Sequence, residues 1–318
     1  MKLVFCGTPH FAVPTLEALM AAGHQIHLVV TQPDRPVGRA QELTAPPVKQ
    51  LSIGAGLPIT QPDKIRNNVD FRTQLEAIAP DAIVVVAYGR IIPPWMLALP
   101  RHGCINLHAS LLPKYRGAAP IQWAIAMGET VTGNTTMLLE EGLDTGPILL
   151  QRALAIGPDQ TAADLFEELS TSGAPLLVET LAGLQSGNVV PKPQDHARAT
   201  LAPILEREDG RMDFAARTAI DLKNRWRGFQ PWPGAFTSLH GKKLIVHRID
   251  VADGSLGPGS GSAAPGQVLT HDARMFVACA QSTWLELLEV QLEGKKRMQA
   301  SEFLRGLPPT PQSEFRLG

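Results

Sequence analysis

The chain begins with an alternation of short apolar runs and segments whose hydrophobic residues recur at helical spacing. Residues 2–6 form an apolar run that ends in a Gly-Thr-Pro turn, and residues 11–20 carry apolar side chains every three or four positions. A second apolar run follows at residues 25–31. This order predicts a strand, a helix and a second strand, which together make a βαβ unit.

The same alternation continues through the next 150 residues or so. An amphipathic stretch at 71–78 precedes two apolar runs, at 81–87 and 103–108, and a long helical pattern covers 162–184. Continuous apolar strands need helices on both faces of their sheet. Residues 1–190 are therefore predicted to form a Rossmann-like, doubly wound, mostly parallel α/β sheet.

The second half of the chain has a different composition and a different pattern of apolar runs. Three prolines among polar residues interrupt helical spacing between 186 and 203, so we place a linker at 191–204 and a second domain at 205–318. A helical segment is predicted at 214–226, and a Gly/Ser/Pro-rich stretch at 253–266 is expected to be a mobile loop. The second domain also has brief β-like runs typical of a small barrel or sandwich, at 235–239, 243–249, 275–279 and 284–290.

Composition narrows the class of protein. No apolar run approaches the roughly 20 residues that span a bilayer, and no secretory signal precedes the first strand. The net charge of −1 does not by itself indicate a polyanionic partner. Cys6, Cys104 and Cys279 lie far apart, which argues against a disulfide framework and against a structural zinc site. We therefore expect a soluble cytoplasmic protein.

Asn106 and His108 are the first candidates for chemistry. They lie two residues apart in a predicted strand, so their side chains share a face at the carboxyl end, where open α/β sheets bind ligands. An amide and an imidazole suit an oxyanion that forms at a carbonyl carbon. The alternative is structural: an asparagine that caps the next turn and a core histidine whose nitrogens bind backbone.

Asp144 is a natural third partner. It lies in a glycine-rich turn at 140–147, between β-like runs at 134–139 and 147–152. A carboxylate beside an imidazole stabilises the protonated ring and fixes its orientation. An aspartate before a turn glycine is also common for purely local reasons, because its side chain binds nearby backbone amides.

Two other features concern the carboxyl ends of the first strands. The Gly-Thr-Pro turn at 7–9 lacks both the G-x-G-x-x-G pattern and a phosphate-loop lysine, which argues against a dinucleotide or ATP site. The proline-stiffened loop 31–39 carries Arg35 and Arg39. It is either a surface loop with paired charges or a loop that grips a substrate.

Taken together, these stretches resemble the methionyl-tRNA formyltransferase family nearly from end to end. The Asn, His and Asp are shared by folate-dependent formyltransferases of this fold, so they indicate the reaction rather than the acceptor. The acceptor is indicated by Arg-Gly-Ala-Ala-Pro-Ile-Gln and by Phe-Gln-Pro-Trp-Pro-Gly. The segments that carry the resemblance are 7–9, 31–39, 106–113, 116–122, 142–146 and 229–234.

The resemblance implies a role for each candidate. It implies formyl transfer from 10-formyltetrahydrofolate, a consumed co-substrate, to the methionine amino group of initiator methionyl-tRNA, with no permanently bound cofactor and no metal. The second domain would be an OB-like barrel that binds tRNA, and we expect a monomer that binds no membrane. The implied residues are Asn106, His108 and Asp144 for catalysis, Ser110, Leu111, Leu112 and Pro113 for folate, and Arg35 and Arg39 for the tRNA loop.

The chain departs from the family pattern in two places. The family usually has lysines after the Gly-Arg of the substrate loop, whereas this chain has Ala40, Gln41 and Glu42. This removes positive charge where the acceptor stem would lie. The family also tends to place an acidic residue where His10 follows the Gly-Thr-Pro turn.

Two other functions compete with this hypothesis. A related formyltransferase could act on a small amine, such as an amino sugar nucleotide or glycinamide ribonucleotide, with the same Asn, His and Asp. The second domain and its Lys295-Lys296-Arg297 cluster favour a large acceptor. A non-catalytic RNA-binding protein would have no use for Asn106, His108 and Asp144 in combination.

Overall fold

The computed structural model describes residues 1–38, 41–252, 263–307 and 315–318. The chain divides into two compact units. The first comprises Met1–Pro120, Val131–Ala155 and Asp164–Pro203, and the second comprises Ile121–Thr130, Ile156–Ala163 and Ile204–Gly318.

Strands and helices alternate along the first two thirds of the chain. In chain order they are β1 (Lys2–Gly7), α1 (Val13–Ala21), β2 (Gln25–Val30), β3 (Arg35–Val37), β4 (Glu42–Thr44), α2 (Pro47–Gly54), β5 (Ile59–Thr60), α3 (Val69–Ile78), β6 (Ala82–Val86), α4 (Pro94–Leu97), β7 (Cys104–His108), β8 (Arg116–Gly117), α5 (Pro120–Ala126), β9 (Val131–Leu138), β10 (Ile148–Ala155), α6 (Ala162–Ser186) and β11 (Leu201–Ala202).

A seven-stranded sheet in the order β10-β9-β7-β6-β1-β2-β5 forms the centre of the first unit. The five strands from β7 to β5 run parallel, and β9 is antiparallel to both β7 and β10. Every residue of β6 is buried, as a strand covered on both faces requires. The predicted mostly parallel sheet is confirmed.

The stretch predicted as a linker, 191–204, belongs to the first unit as far as Pro203 and is fixed there. Lys192 forms an isolated antiparallel bridge with Ile148, and β11 pairs in parallel with β8. Helix α6 ends at Ser186, where Gly187 follows with a φ of +75°, so the helix stops before the first proline of this stretch. Distant residues then hold the chain in place. The domain limits 1–190, 191–204 and 205–318 stay a prediction.

The second unit is built on an antiparallel sheet. Its further elements are α7 (Ala219–Gly228), β12 (Phe236–Leu239), β13 (Lys242–Val251), β14 (Val268–His271), β15 (Arg274–Ala278), β16 (Trp284–Leu292), β17 (Met298–Gln299) and α8 (Ala300–Arg305). The main path is β12-β13-β16-β15-β14, with β17 paired to β16.

Register shifts within the β13–β16 pair bend this sheet into a curled half-barrel. Its core includes Phe214, Leu222, Val246 and Val290. Along the described strands the pairing path stays open, so OB-like closure remains a prediction. Residues 253–262 of the loop expected at 253–266 lie outside the described residues.

Helix α7 begins later than the helical spacing predicts. The expected start was Phe214, but a reciprocal cap between Thr218 and Asp221 starts the helix at Ala219. Phe214 is buried in the core instead. The local cap therefore sets the first residue, whereas the apolar pattern indicates only that a helix is present.

All three cysteines are free thiols and buried. Cys6 and Cys104 lie in β1 and β7 of the first unit, and Cys279 follows β15 in the second. Burial raises the pKa of Cys6 well above its ordinary value, with a smaller contribution from Cys104. Burial also raises the pKa of Cys104 and of Cys279 to about 12.

Candidate active site

Strand β7 presents Asn106 and His108 on one face near its carboxyl end. Asn106 is opposite Met137 of β9, and His108 is opposite Thr135. His108 is only 6% exposed, whereas Asn106 is half-buried. The Asn106 amide makes no hydrogen bond to any residue that the structure describes. Its donors are therefore available to a ligand.

The two ring nitrogens of His108 have different partners. Nε2 lies 2.9 Å from the carbonyl oxygen of Tyr115. Because a carbonyl only accepts, Nε2 carries a hydrogen and donates it. Nδ1 lies 3.8 Å from Oδ2 of Asp144, which is too long for a hydrogen bond but suits an ion pair when the ring is protonated. Nδ1 is thus the nitrogen left for chemistry.

Asp144 is held at both its main chain and its carboxylate. Its φ of +49° lies in the left-handed region, and Oδ2 accepts a hydrogen bond of 2.8 Å from the backbone N–H of Gly117. Its side chain is 14% exposed. The structure therefore brings Asp144 to His108, as the sequence predicts, in a fixed orientation.

Gly117 occupies a position that no other residue fits well. Its φ is +119°, and a Cβ there would lie 2.7 Å from the carbonyl oxygen of Ala202. The close approach arises because β8 pairs with β11. A glycine therefore lets the strands pair while its N–H reaches Asp144.

Gln194 is a site residue that sequence analysis missed. It is 6% exposed, and its Nε2 donates to the carbonyl oxygens of Asp144 at 2.9 Å and Gly146 at 2.7 Å. Its Oε1 accepts from Nε and Nη2 of Arg116, at 3.2 and 2.7 Å. Nη2 of Arg116 also lies 3.1 Å from Nδ1 of His196. Gln194 lies in the stretch predicted as a linker, where composition gives no signal of such contacts.

The segment Ser110–Pro113 is held by Thr135. The Thr135 hydroxyl donates to the carbonyl of Ser110 at 2.6 Å and accepts from the N–H of Leu112 at 3.1 Å and from Gln151 Nε2 at 2.9 Å. Gln151 also donates to the carbonyl of Leu112 at 2.9 Å. The Ser110 and Leu112 side chains are buried, whereas Leu111 and Pro113 are half-buried.

Within the predicted loop at 31–39, residues 35–37 form β3, which pairs with β4; we call this pair of strands the β3–β4 hairpin. Arg35 is exposed and its Nη2 donates to Gln32 Oε1 at 3.2 Å. Arg39 and Ala40 lie outside the described residues. Gln41 donates to the carbonyl of Gly38 at 2.9 Å, and Glu42 is exposed.

A cluster of hydrogen bonds anchors the start of this hairpin. Asp34 accepts from Lys49 Nζ at 2.7 and 2.8 Å and from Gln61 Nε2 at 2.8 Å. The hydrogen bond from Gln61, followed by that from Lys49, lowers the pKa of Asp34. Asp34 therefore remains a carboxylate that fixes the base of the hairpin.

His10, the other departure from the family pattern, lies on the surface of the first unit. Its Nε2 is 3.8 Å from a carboxylate oxygen of Glu167, and both side chains are largely exposed. No contact joins it to His108 or Asp144 within the described residues.

The described residues contain no group of three or more His, Cys, Asp or Glu that could hold a metal ion. Within the same ranges, none of the helices has both the length and the apolar character needed to cross a membrane.

Family models match most of the chain. One described as formyl transferase covers residues 1–181, and one described as formyl transferase, C-terminal domain, covers residues 204–308. The chain is 65% identical to the methionyl-tRNA formyltransferase of Acidobacterium capsulatum, over all of both chains. It is 48% identical to that of Myxococcus xanthus, over 98% of this chain and 97% of the relative.

Solved structures share the fold at low identity. An N-formyltransferase from Helicobacter canadensis, in complex with folinic acid and dTDP-3-aminofucose, gives a TM-score of 0.64 at 17% identity and covers 90% of this chain and 98% of its own. HypX from Aquifex aeolicus, in complex with tetrahydrofolic acid, gives 0.60 at 17% identity and covers 99% of this chain and 50% of its own. At such identities the likeness shows the fold.

Proposed function

The chain belongs to the methionyl-tRNA formyltransferase family, and from this membership we infer that it transfers a formyl group to the methionine amino group of initiator methionyl-tRNA. The observation that carries this inference is the 65% identity to a named relative over the full length of both chains, second domain included. We propose 10-formyltetrahydrofolate as the donor, because two structural neighbours are complexes with folate derivatives.

In the proposed reaction, the methionyl amine attacks the formyl carbon and a new C–N bond forms. The carbonyl electrons move to oxygen, where the Asn106 amide and a proton on His108 Nδ1 stabilise the oxyanion. The Asp144 carboxylate stabilises that imidazolium and helps to remove the proton of the attacking amine. When the intermediate collapses, the folate nitrogen takes the bonding pair and a proton.

Ser110–Pro113 is the proposed contact for the folate. Thr135 and Gln151 fix its backbone, as the hydrogen bonds above describe. Because the side chains of Ser110 and Leu112 are buried, ligand contacts fall to the backbone and to Leu111 and Pro113. The proposal includes no metal and no permanently bound cofactor.

We propose that residues 1–190 bind the folate, that 205–318 bind the tRNA, and that Arg35 and Arg39 contact the acceptor end. Lys295 and Lys296 are exposed in the second unit, whereas Arg297 donates a hydrogen bond to Glu289. The two lysines therefore carry the positive charge of this cluster that is available to phosphates. A cytoplasmic monomer completes the proposal.

The acceptor is tested by measuring formyl transfer from 10-formyltetrahydrofolate to methionyl initiator tRNA, beside free methionine and an amino sugar nucleotide. We expect transfer to the tRNA alone. Preferential transfer to the amino sugar nucleotide would instead support the small-amine function, and absence of any transfer would contradict both.

The tRNA platform is tested by the salt dependence of tRNA binding. We expect a Lys295→Ala, Lys296→Ala variant to reduce the log-log slope by about one unit per lost phosphate contact. Folate binding should stay unchanged. Lys64→Ala, an exposed lysine of the first unit, is the control. A slope equal to that of the parent chain would show that the two lysines do not touch the tRNA backbone.

A further inference from the structure

Gln194 stands out because its buried amide is fully paired: besides the contacts with the Asp144 turn and Arg116, its Nε2 lies 3.9 Å from Met137 Sδ. Its amide nitrogen donates to two carbonyls of the same turn, those of Asp144 and Gly146. Its oxygen accepts twice from the buried guanidinium of Arg116. A surface linker residue has no need of such complete pairing.

The contacts of Gln194 complement those of Gly117. Gln194 holds the main-chain carbonyl of Asp144, while the N–H of Gly117 holds its carboxylate at 2.8 Å. Arg116 connects these two contacts of Asp144, because it hydrogen-bonds to Gln194 and directly precedes Gly117 in the chain. Asp144 is therefore held at its main-chain carbonyl and at its carboxylate by two sets of hydrogen bonds, which the peptide bond between Arg116 and Gly117 connects.

We propose that Gln194 is a positioning residue for formyl transfer, which acts by keeping the Asp144 carboxylate at His108. This inference rests on the proposed function, since it takes Asp144 to be part of the catalytic set. An amide suits the position because it accepts from a guanidinium and donates to two carbonyls at once. A carboxylate would keep the first contact and lose both donors.

A double-mutant cycle tests the proposal by turnover. We expect Gln194→Ala to lower kcat by about 10- to 100-fold, the scale of a catalytic group displaced by about 1 Å, with KM for folate and tRNA nearly unchanged. Combined with Asp144→Ala, the same substitution should cost less than about twofold, because the group through which it acts is already gone. Gln194→Glu should resemble Gln194→Ala.

Folding and specificity are controlled separately. Gln50→Ala removes an exposed glutamine amide that also donates to a backbone carbonyl, and should leave kcat unchanged. If Gln194→Ala does not fold, Gln194→Glu takes its place in the cycle, because it retains an acceptor for Arg116.

The outcomes are distinguishable. If Asp144→Ala lowers kcat but Gln194→Ala costs the same factor with and without Asp144, Gln194 is a structural residue only and the inference is overturned. If Asp144→Ala itself leaves kcat unchanged, the proposed catalytic set is wrong, whatever Gln194 does.

Discussion

Two polar connections of the first unit are held in opposite ways. The Asp144 turn (residues 140–147) is fixed by hydrogen bonds from Gln194 and Gly117, which are distant in sequence. The β3–β4 hairpin (strands 35–37 and 42–44) is anchored at its base by Asp34, but β4 is exposed and Leu43 is 71% exposed.

This difference matches what each connection is proposed to do. A group that moves a proton must stay within a fraction of an ångström of its partner. A loop that contacts a large polyanion depends on charge and reach instead, and tolerates variation in its sequence. On this view, we expect Ala40, Gln41 and Glu42, which stand where the family usually has lysines, to change affinity for tRNA and to leave the chemistry of the turn unaffected.

The largest effect on turnover should come from substituting His108 or Asp144. We expect His108→Ala and Asp144→Asn each to lower kcat by about 10²- to 10⁴-fold, because one removes the proton carrier and the other removes the stabilising charge. His27→Ala, an exposed histidine of β2, is the matched control. Steady-state kinetics on variants with parental unfolding curves measures the effect, and near-normal turnover in folded His108→Ala would refute the mechanism.

Gly117→Ala should disturb the Asp144 turn, although Gly117 lies outside that turn in the sequence. A Cβ clashing with Ala202, added to a φ of +119°, should destabilise the protein by about 1–3 kcal/mol and lower kcat by about tenfold. Gly56→Ala provides the control, because its φ is +66° and its Cβ would meet nothing within 4 Å. If both variants lose the same activity, backbone strain alone explains the result. Denaturant unfolding and kcat, measured on the same samples of both variants, distinguish these two outcomes.

The hairpin should affect binding rather than turnover. We expect Arg35→Ala and Arg39→Ala to raise KM for tRNA by about three- to tenfold, the net scale of one ordinary hydrogen bond, with kcat and KM for folate unchanged. Arg72→Ala removes an exposed arginine of α3 that pairs with Glu76, and is the control. An increase confined to the KM for folate would place the hairpin on the other substrate.

The smallest effect concerns the anchor of the hairpin. Because hydrogen bonds lower the pKa of Asp34 below its ordinary value of 3.8, its carboxylate stabilises the fold above that pH, and the contribution is lost as pH falls through the lowered value. Asp34→Asn should therefore be less stable than the parent near neutral pH, with the difference closing in acid. Thermal unfolding from pH 7 down to about pH 2 tests this, because the difference closes only below the ordinary pKa, and a constant difference over that range would contradict it.

The sequence was sufficient to predict the sheet and part of the site. Apolar runs predicted β1, β6 and β7, and alternation along β7 placed Asn106 and His108 on one face. These features depend on neighbours in the chain, which a pattern can express. Asp144 was suggested as a third partner by its chemistry alone and gained its catalytic role only from the family resemblance, because its contact with His108 crosses from one strand connection to another.

Other features could not be predicted because their causes lie far away in sequence. Gln194 contacts Asp144 across 50 positions, and nothing around it distinguishes a buried amide from a linker residue. Pairing of β8 with β11 is equally remote. The start of α7 was a different kind of error, because the cap formed by Thr218 and Asp221 is visible in the sequence and outweighs the apolar spacing used to place the helix.

The three buried cysteines allow local opening of the structure to be measured by the rate at which their thiols are alkylated. Since their thiols are inaccessible and their raised pKa values leave little thiolate, an alkylating reagent should modify them only when the surrounding structure opens. Cys6 and Cys104 would report the parallel sheet, and Cys279 the half-barrel. Mass spectrometry of timed labelling would then follow the opening of the two units independently, without adding a probe to either.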